Sequence, residues 1–557
     1  MTSAEELIAI GRQYYREGRF AEAEQAFDRA AALAPDSVEA LTQLAATFDR
    51  LRRWPEALPL LRRARTLAPD DERVWLSLRG HLLLFQRHEE AFEDFRTFEP
   101  RAKPSAAVVI AGLLSARIAP SAAYEDKYLP LALGWPYGKG ESGYAGVALA
   151  QAEYFDVPRA ALKRLQETYN RLRQEERAGV ADFTTRRPDR SGPLRVGYLS
   201  ADFRNHVMGR LVLEVLSRHD RSRFTVRAYS LALRELEDTL TEKFRTCCED
   251  FVRLDHLDNA SAARRIAADE LDVLVDLMGH SGSSRPGILL YKPAPVILAH
   301  LGSHGPIGLQ QVDFKLSDRE VDLPDAGQYQ MEASLPLARC VLPVRRVTPS
   351  EHGPSRKELG IQPSAVVFGV FVSLLKLSPR CLSLWRSILG RVPGSVLAFS
   401  PRRDSEHALY LRRLANFDIP AERIVFIPWT LDDATDRARY RIVDVVLDTL
   451  PYTGGDTTAA ALDMHVPVVA RVGERAAERM TWSLLAHLGV TDTVARTDAE
   501  YVEIACRLAG DANWRASVRA TIAERLPGSG LADFDAYTRA LESAFERAVQ
   551  LKSAPAS

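Results

Sequence analysis

The sequence predicts a superhelical array of paired α-helices followed by two α/β domains with parallel sheets. Three observations predict it. Hydrophobic and small residues recur at a 34-residue spacing through the first hundred positions. Near residue 186 the pattern changes to short β-branched runs alternating with helical patterns. A second series of the same kind then follows. At 557 residues the chain is too long for one core.

The repeat is seen at Leu7, Gly11, Tyr14, Ala23, Phe27, Ala30 and Pro35. Adding 34 gives Leu41, Ala45, Phe48, Ala57, Leu61, Ala64 and Pro69, of the same character. A third copy keeps Trp75, Leu78, Leu82, Ala91, Phe95 and Phe98 but has Arg79 where a small residue stood. Small residues let two helices approach, large ones fill the gap between hairpins, and proline stops the second helix. This spacing resembles the tetratricopeptide repeat, expected over residues 1–104. Residues 105–185 stay helical in pattern without the period and are expected as an extension of the array. TTRRPDRSGP reads as a linker.

Buried parallel strands are expected at 194–200, 224–231, 271–279 and 295–302, in a domain over 192–345. A second set at 365–373, 395–401, 423–429, 443–449 and 467–471 belongs to a domain over 346–557. Two Rossmann-like sheets follow, and ligands of such sheets bind beyond the carboxyl ends of strands.

Four segments stand at such ends. SADFRNHVMGRL places His206 between strand and helix, as a general base or as a loop histidine bonded to backbone. FVSLLKLSP places Lys376 to neutralise a diphosphate, or simply in solvent. LDTLPYTGGDTTAAALD turns at Gly454 and Gly455 into a helix opening at Thr457 and Thr458. Backbone N–H groups and the helix dipole make that turn an anion site, and Thr457 also suits an ordinary N-cap. Gly302, Ser303, His304 and Gly305 form a loop that a sugar can approach closely, with His280 nearby as a further hydrogen-bonding candidate.

Composition narrows the partners. The formal net charge of -1 offers no field for nucleic acid or an anionic membrane. No apolar run approaches the ~20 residues of a membrane span, and the N-terminus does not read as a secretory signal. Five cysteines without metal-ligand spacing suit a reducing, cytoplasmic setting. Abundant Arg and Ala suggest a bacterial source.

In order and spacing, SADFRNH, KPAPVILAHLG, SLLKLSP, LDTLPYTGGDTT and GERAAERMTWSLLAHLG, after the repeats, resemble the O-GlcNAc transferases. The resemblance implies a GT-B glycosyltransferase. It would move N-acetylglucosamine from UDP-GlcNAc to Ser or Thr of proteins, with inversion and without metal or other cofactor. The repeats and cleft would receive polypeptide acceptors. It makes His206 the candidate base and Lys376 the diphosphate contact. Gly454, Gly455, Asp456, Thr457, Thr458 and Asp463 fall at UDP, and Gly302, Ser303 and His304 at the sugar. No Asp-x-Asp element stands where a metal-bridged diphosphate would need it. The chain departs from the family at Asp456, where a histidine is usual, and at Ala461, with Asp463 two positions after the expected ribose-binding aspartate. TLDDATDRARY has no counterpart of the family's uracil-facing histidine. Two alternatives remain: UDP-glucose as donor, or a repeat scaffold that binds nucleotide without turnover.

Overall fold

The computed structural model describes residues 2–119, 121–177, 179–186, 188 and 192–553. Among these, no helix is long and apolar enough to cross a membrane. Four residues of the expected linker, Arg187, Asp189, Arg190 and Ser191, lie outside them. The chain forms two compact units, Met1–Ala132 and Leu133–Ser557.

The first unit stacks antiparallel helix pairs: Ala4–Arg16 with Phe20–Leu33, Val38–Arg50 with Trp54–Leu67, and Glu72–Leu84 with His88–Phe98. The repeat positions do what their sizes demand. Gly11 lies against the ring of Phe27, where a Cβ would collide, and Ala23, Phe27 and Ala30 are buried. Ser3 caps the first helix through a reciprocal bond with Glu6, and Ser37 and Asp71 cap the first helices of the next two pairs. Arg79, the residue that breaks the repeat, is buried beside Trp75 and Phe95. It donates to the carbonyls of Ala91 and Ala111. The third copy therefore departs from pattern because a long donor must reach the following helix, Ala106–Ile118. The expected extension divides: residues 105–132 belong to this unit, and the helices Ser142–Ala152 and Arg159–Glu176 to the second.

The second unit holds two parallel sheets. The first contains β1 (Leu194–Ser200), β2 (Phe224–Ser230), β3 (Asp250–Arg253), β4 (Val273–Asp276), β5 (Val296–Ala299), β6 (Phe314–Ser317) and β7 (Ala333–Pro336). Their order is β3-β2-β1-β4-β5-β6-β7. The second contains β8 (Val367–Gly369), β9 (Val396–Phe399), β10 (Ile424–Phe426), β11 (Val445–Leu447), β12 (Val468–Arg471) and β13 (Val494–Ala495), in the order β10-β9-β8-β11-β12-β13. In each sheet the strand order reverses at one place, β1 beside β4 and β8 beside β11. That reversal opens a crevice at the carboxyl ends of those strands.

All nine strands expected from sequence are present, mostly shorter than their apolar runs. Leu277, Met278, Val370 and Phe371 are buried beyond the ends of their strands, so apolarity there marks burial rather than ladder bonding. The four unexpected strands, β3, β6, β7 and β13, carry polar residues, such as Arg253 and Lys315, or are very short.

The last helix, Phe534–Ser553, follows the second sheet in sequence but packs on the first. Glu542 is fully buried there; it accepts from His219 Nδ1 at 2.9 Å and from the Asp220 N–H at 2.9 Å. Tyr537 donates to the Val341 carbonyl at 2.6 Å. Glu542→Ala leaves both donors without an acceptor, at about 1–3 kcal/mol each. Urea unfolding followed by tryptophan fluorescence should show a clearly lower midpoint. An unchanged midpoint would mean that Glu542 does not anchor this helix.

Candidate active site

The switch-point strands carry the candidate residues. His206 follows β1, Lys376 follows β8, and the Asp448–Thr458 turn follows β11. The loop Gly302–Gly305 follows β5, which neighbours β4.

The turn is organised by a buried carboxylate. Asp448 Oδ1 accepts from the N–H groups of Thr449 at 2.9 Å and Gly454 at 2.7 Å. Burial pushes its carboxyl up to about 6. Thr453 donates to the Ala477 carbonyl at 2.9 Å, and Tyr440 to the Thr457 carbonyl at 3.2 Å. The helix Asp456–Asp463 then begins with Gly455 as N-cap and no side chain bonded across its first turn. Its first N–H groups are thus not taken up by a side-chain cap, which leaves an anion-binding helix end. The expectation that Thr457 is an ordinary N-cap is not met. The two threonines differ: Thr458 is buried and bonded to Thr481 at 2.8 Å, whereas Thr457 is partly exposed.

Lys376 lies with its ammonium 4.5 Å from the centre of the Tyr452 ring. Tyr452 is stacked on Tyr154 at 4.3 Å and tilted against His304 at 4.7 Å. Lysine, turn and loop histidine therefore converge on one aromatic platform. Burial, with Lys376 and Lys315 nearby, pushes His304 down to about 3, so its ring is neutral at physiological pH. Gly455 backs toward the same ring. Tyr154, from the helical extension, and Tyr452 and Asp448 were not singled out from sequence. Tyr452 and Asp448 lay inside a noted motif; Tyr154 follows a helix with no distinguishing pattern.

Gly302 can only be glycine in this backbone, since a Cβ would overlap the Leu277 carbonyl. Ser303 packs against Gly279. His280 is bonded through Nε2 to the Ile307 carbonyl at 2.8 Å, which makes it a loop brace. Asp463 lies at the far end of its helix from the turn. It is held by Arg346 at 2.7 Å, Arg437 at 3.1 Å and the Val347 N–H at 3.0 Å. Asp456 opens that helix.

His206 is the N-cap of the helix Val207–Leu216. Its Nδ1 has two neighbours of opposite demand. The Met208 N–H donates to it at 3.3 Å, which puts the ring proton on Nε2. The Asp202 carboxylate lies 3.4 Å away and favours the other tautomer, which frees Nε2 as a base. Burial, aided by Arg204, Arg402 and Arg210, lowers its pKa against the pull of Asp202. Beside it, Arg210 joins the two lobes through Asp433 at 2.9 Å, and Arg345 meets the same carboxylate at 2.7 Å.

Asp318, Cys340 and His487 cluster closely enough to suggest a metal site. However, Asp318 accepts from Glu320 N–H, Val321 N–H, Val341 N–H and Ser483 Oγ. Those four bonds use its acceptor positions, so it serves as a structural hub.

The arrangement combines two parallel sheets, a helix terminus without a side-chain cap and a lysine at a strand end. Residues 176–333 and 348–541 match the model of glycosyl transferase family 41, and residues 14–82 match a tetratricopeptide repeat. The chain belongs to glycosyl transferase family 41. It is 31% identical over 368 residues to the Arabidopsis thaliana probable UDP-N-acetylglucosamine–peptide N-acetylglucosaminyltransferase SPINDLY, covering 64% of this chain and 39% of that protein. It is 25% identical over 465 residues to the Caenorhabditis elegans UDP-N-acetylglucosamine–peptide N-acetylglucosaminyltransferase, covering 63% of this chain and 40% of the relative. The chain thus spans about two fifths of these curated relatives. A mutant of the Thermobaculum terrenum O-GlcNAc transferase is similar over 99% of this chain and 98% of its own, with 25% identity and a TM-score of 0.70.

Asp448→Ala leaves the Thr449 and Gly454 N–H groups without their acceptor, at about 1–3 kcal/mol each. It should lower the melting temperature and the midpoint of urea unfolding together. Asp448→Asn keeps the accepting oxygen and should change both far less. Equal behaviour of the two variants would mean that the turn is held by other bonds.

Proposed function

We propose that this chain transfers N-acetylglucosamine from UDP-GlcNAc to Ser or Thr hydroxyls of proteins, with inversion and without a metal. The observation that carries the reading is the convergence of Lys376, Tyr452 and His304 beside the open helix end after Gly455. The bond from the anomeric carbon to the diphosphate oxygen breaks as the acceptor oxygen attacks from the opposite face. Charge then grows on UDP, where Lys376 and the helix N–H groups neutralise it. Preorganised donors of this kind need no rearrangement at the moment of reaction. His206, turned to the tautomer that Asp202 favours, takes the acceptor proton on Nε2. The sugar lies on the Gly302–His304 loop. Asp463, carried by the same helix as the threonine pair, lies on the ribose side of UDP. The repeat unit guides polypeptide acceptors, and the enzyme works in the cytoplasm.

A second reading keeps the fold and takes glucose as the donor sugar. Calorimetry with UDP-GlcNAc and UDP-glucose separates the two. Tighter binding and turnover with UDP-GlcNAc supports the first reading; preference for UDP-glucose replaces it with the second.

Two variants test the assigned roles. Lys376→Ala should abolish turnover and weaken UDP binding roughly tenfold to a hundredfold, the value of a charge-assisted phosphate contact of about 1.5–3 kcal/mol. His206→Ala should cut turnover while leaving UDP affinity within about threefold, because a base meets the acceptor. Normal UDP binding by Lys376→Ala would displace the diphosphate from this turn. Near-normal transfer by His206→Ala would leave His206 as a helix cap alone. Transfer should persist in EDTA; its loss, restored by a divalent cation, would refute the metal-free mechanism.

A further inference from the structure

Behind the Gly302–Gly305 loop lies a cavity of about 50 Å³. Its polar wall is formed by Glu153, Arg159, Lys315, Asp322, Gln330 and Arg475. The helical extension, the first sheet and the second lobe all contribute to it. Gly305 closes it on the loop side, where its backbone rests so close to the Glu153 carboxyl that a Cβ would not fit.

Most charges on this wall are already matched. Arg159 is held by Asp325 at 2.8 Å and Glu474 at 3.5 Å. Arg475 is held by Glu478 and the Phe155 carbonyl, at 2.9 and 2.8 Å. Asp322 accepts from Ser334 Oγ at 2.6 Å. Two donors are left over. Lys315 is 5% exposed, and among the described residues its Nζ makes no hydrogen bond; Asp322 is its ion-pair neighbour at 3.6 Å. Gln330 is 8% exposed, and its Nε2 is also without a hydrogen bond among the described residues. An ammonium carries three N–H groups and accepts nothing, so both atoms without a hydrogen bond on this wall are donors. Leaving such donors unmet costs free energy, and a partner that offers several oxygens at once removes the cost. Glu153 also lines the cavity; its nearest cation, Arg475, is 4.0 Å away, and burial raises its pKa while Arg475 and Lys315 pull it down. The volume exceeds the roughly 10–15 Å³ that one water needs and suits a compact group.

We propose that this cavity binds a small oxyanion, a carboxylate or phosphate group, anchored on Lys315 and Gln330. The site is separate from the lysine and helix end that meet UDP in the proposed function. It braces the Gly302–Gly305 loop from behind, so its occupant is placed to stiffen that loop.

The test is calorimetric titration of the full-length protein with sodium acetate and, separately, with inorganic phosphate, using Lys315→Met, Gln330→Met and Lys376→Ala beside the wild type. Saturable binding that persists in Lys376→Ala is expected for at least one anion, and the stronger of the two identifies the source. Lys315→Met should weaken it at least tenfold and Gln330→Met about threefold, whereas Lys376→Ala should leave it unchanged. Should Lys315→Met fail to fold, Gln330→Met alone carries the comparison with Lys376→Ala. Loss confined to Lys376→Ala would place the anion at the strand-end turn and overturn the proposal. So would the absence of saturable binding for both anions, which leaves the cavity to water.

Discussion

The candidate site depends on the Asp448 carboxylate. One of its oxygens gathers the N–H groups of Thr449 and Gly454, six residues apart in sequence, and so closes the turn after β11. That closure aims the start of the helix Asp456–Asp463 and puts Tyr452 beneath Lys376. A carboxylate buried this deeply is costly in its charged form, and its pKa rises to about 6. The N–H groups that it accepts offset part of that cost. The acid can thus remain next to a turn that is otherwise built to attract an anion.

A second constraint is how the helical extension joins both sheets. Tyr154 stacks on Tyr452, and Arg380 spans Asp156 and Asp498 at 2.8 and 2.6 Å. Arg159 reaches Asp325 on the first sheet's side, and Lys163 donates to the Gln330 carbonyl at 2.9 Å. The last helix closes the ring by returning from the second lobe to the first through Glu542 and Tyr537. The crevice between the sheets is therefore bordered by structure from both ends of the second unit. Small residues permit the close contacts: Gly146 lies against Tyr169, and Gly308 against Leu149 and Gln166.

Much of this was legible in the sequence because periodicity and strand ends leave local marks. The repeat was read from small and large residues at fixed spacing, and Gly11 against Phe27 shows why the sizes matter. The central strands were read from continuous apolar runs, which burial on both faces produces. The edge strands β3 and β7 were missed because they have no such run, whereas the edge strand β10 has one; the inner strand β6 was missed because Lys315 interrupts it. His206, Lys376 and the Gly454–Thr458 turn were found because each follows a strand. What escaped was contact between distant segments. Nothing local to Tyr154 announces a partner 298 residues later, at Tyr452. Likewise, nothing in the final helix announces that Glu542 will serve His219.

The most direct measurement of the central claim is a crystal structure of the protein with UDP. The diphosphate is expected between Lys376 Nζ and the first N–H groups of the helix Asp456–Asp463, with Thr457 in reach of a phosphate oxygen. Density for UDP away from that turn, with Lys376 still resting on Tyr452 and no contact at Gly454–Thr458, would contradict it.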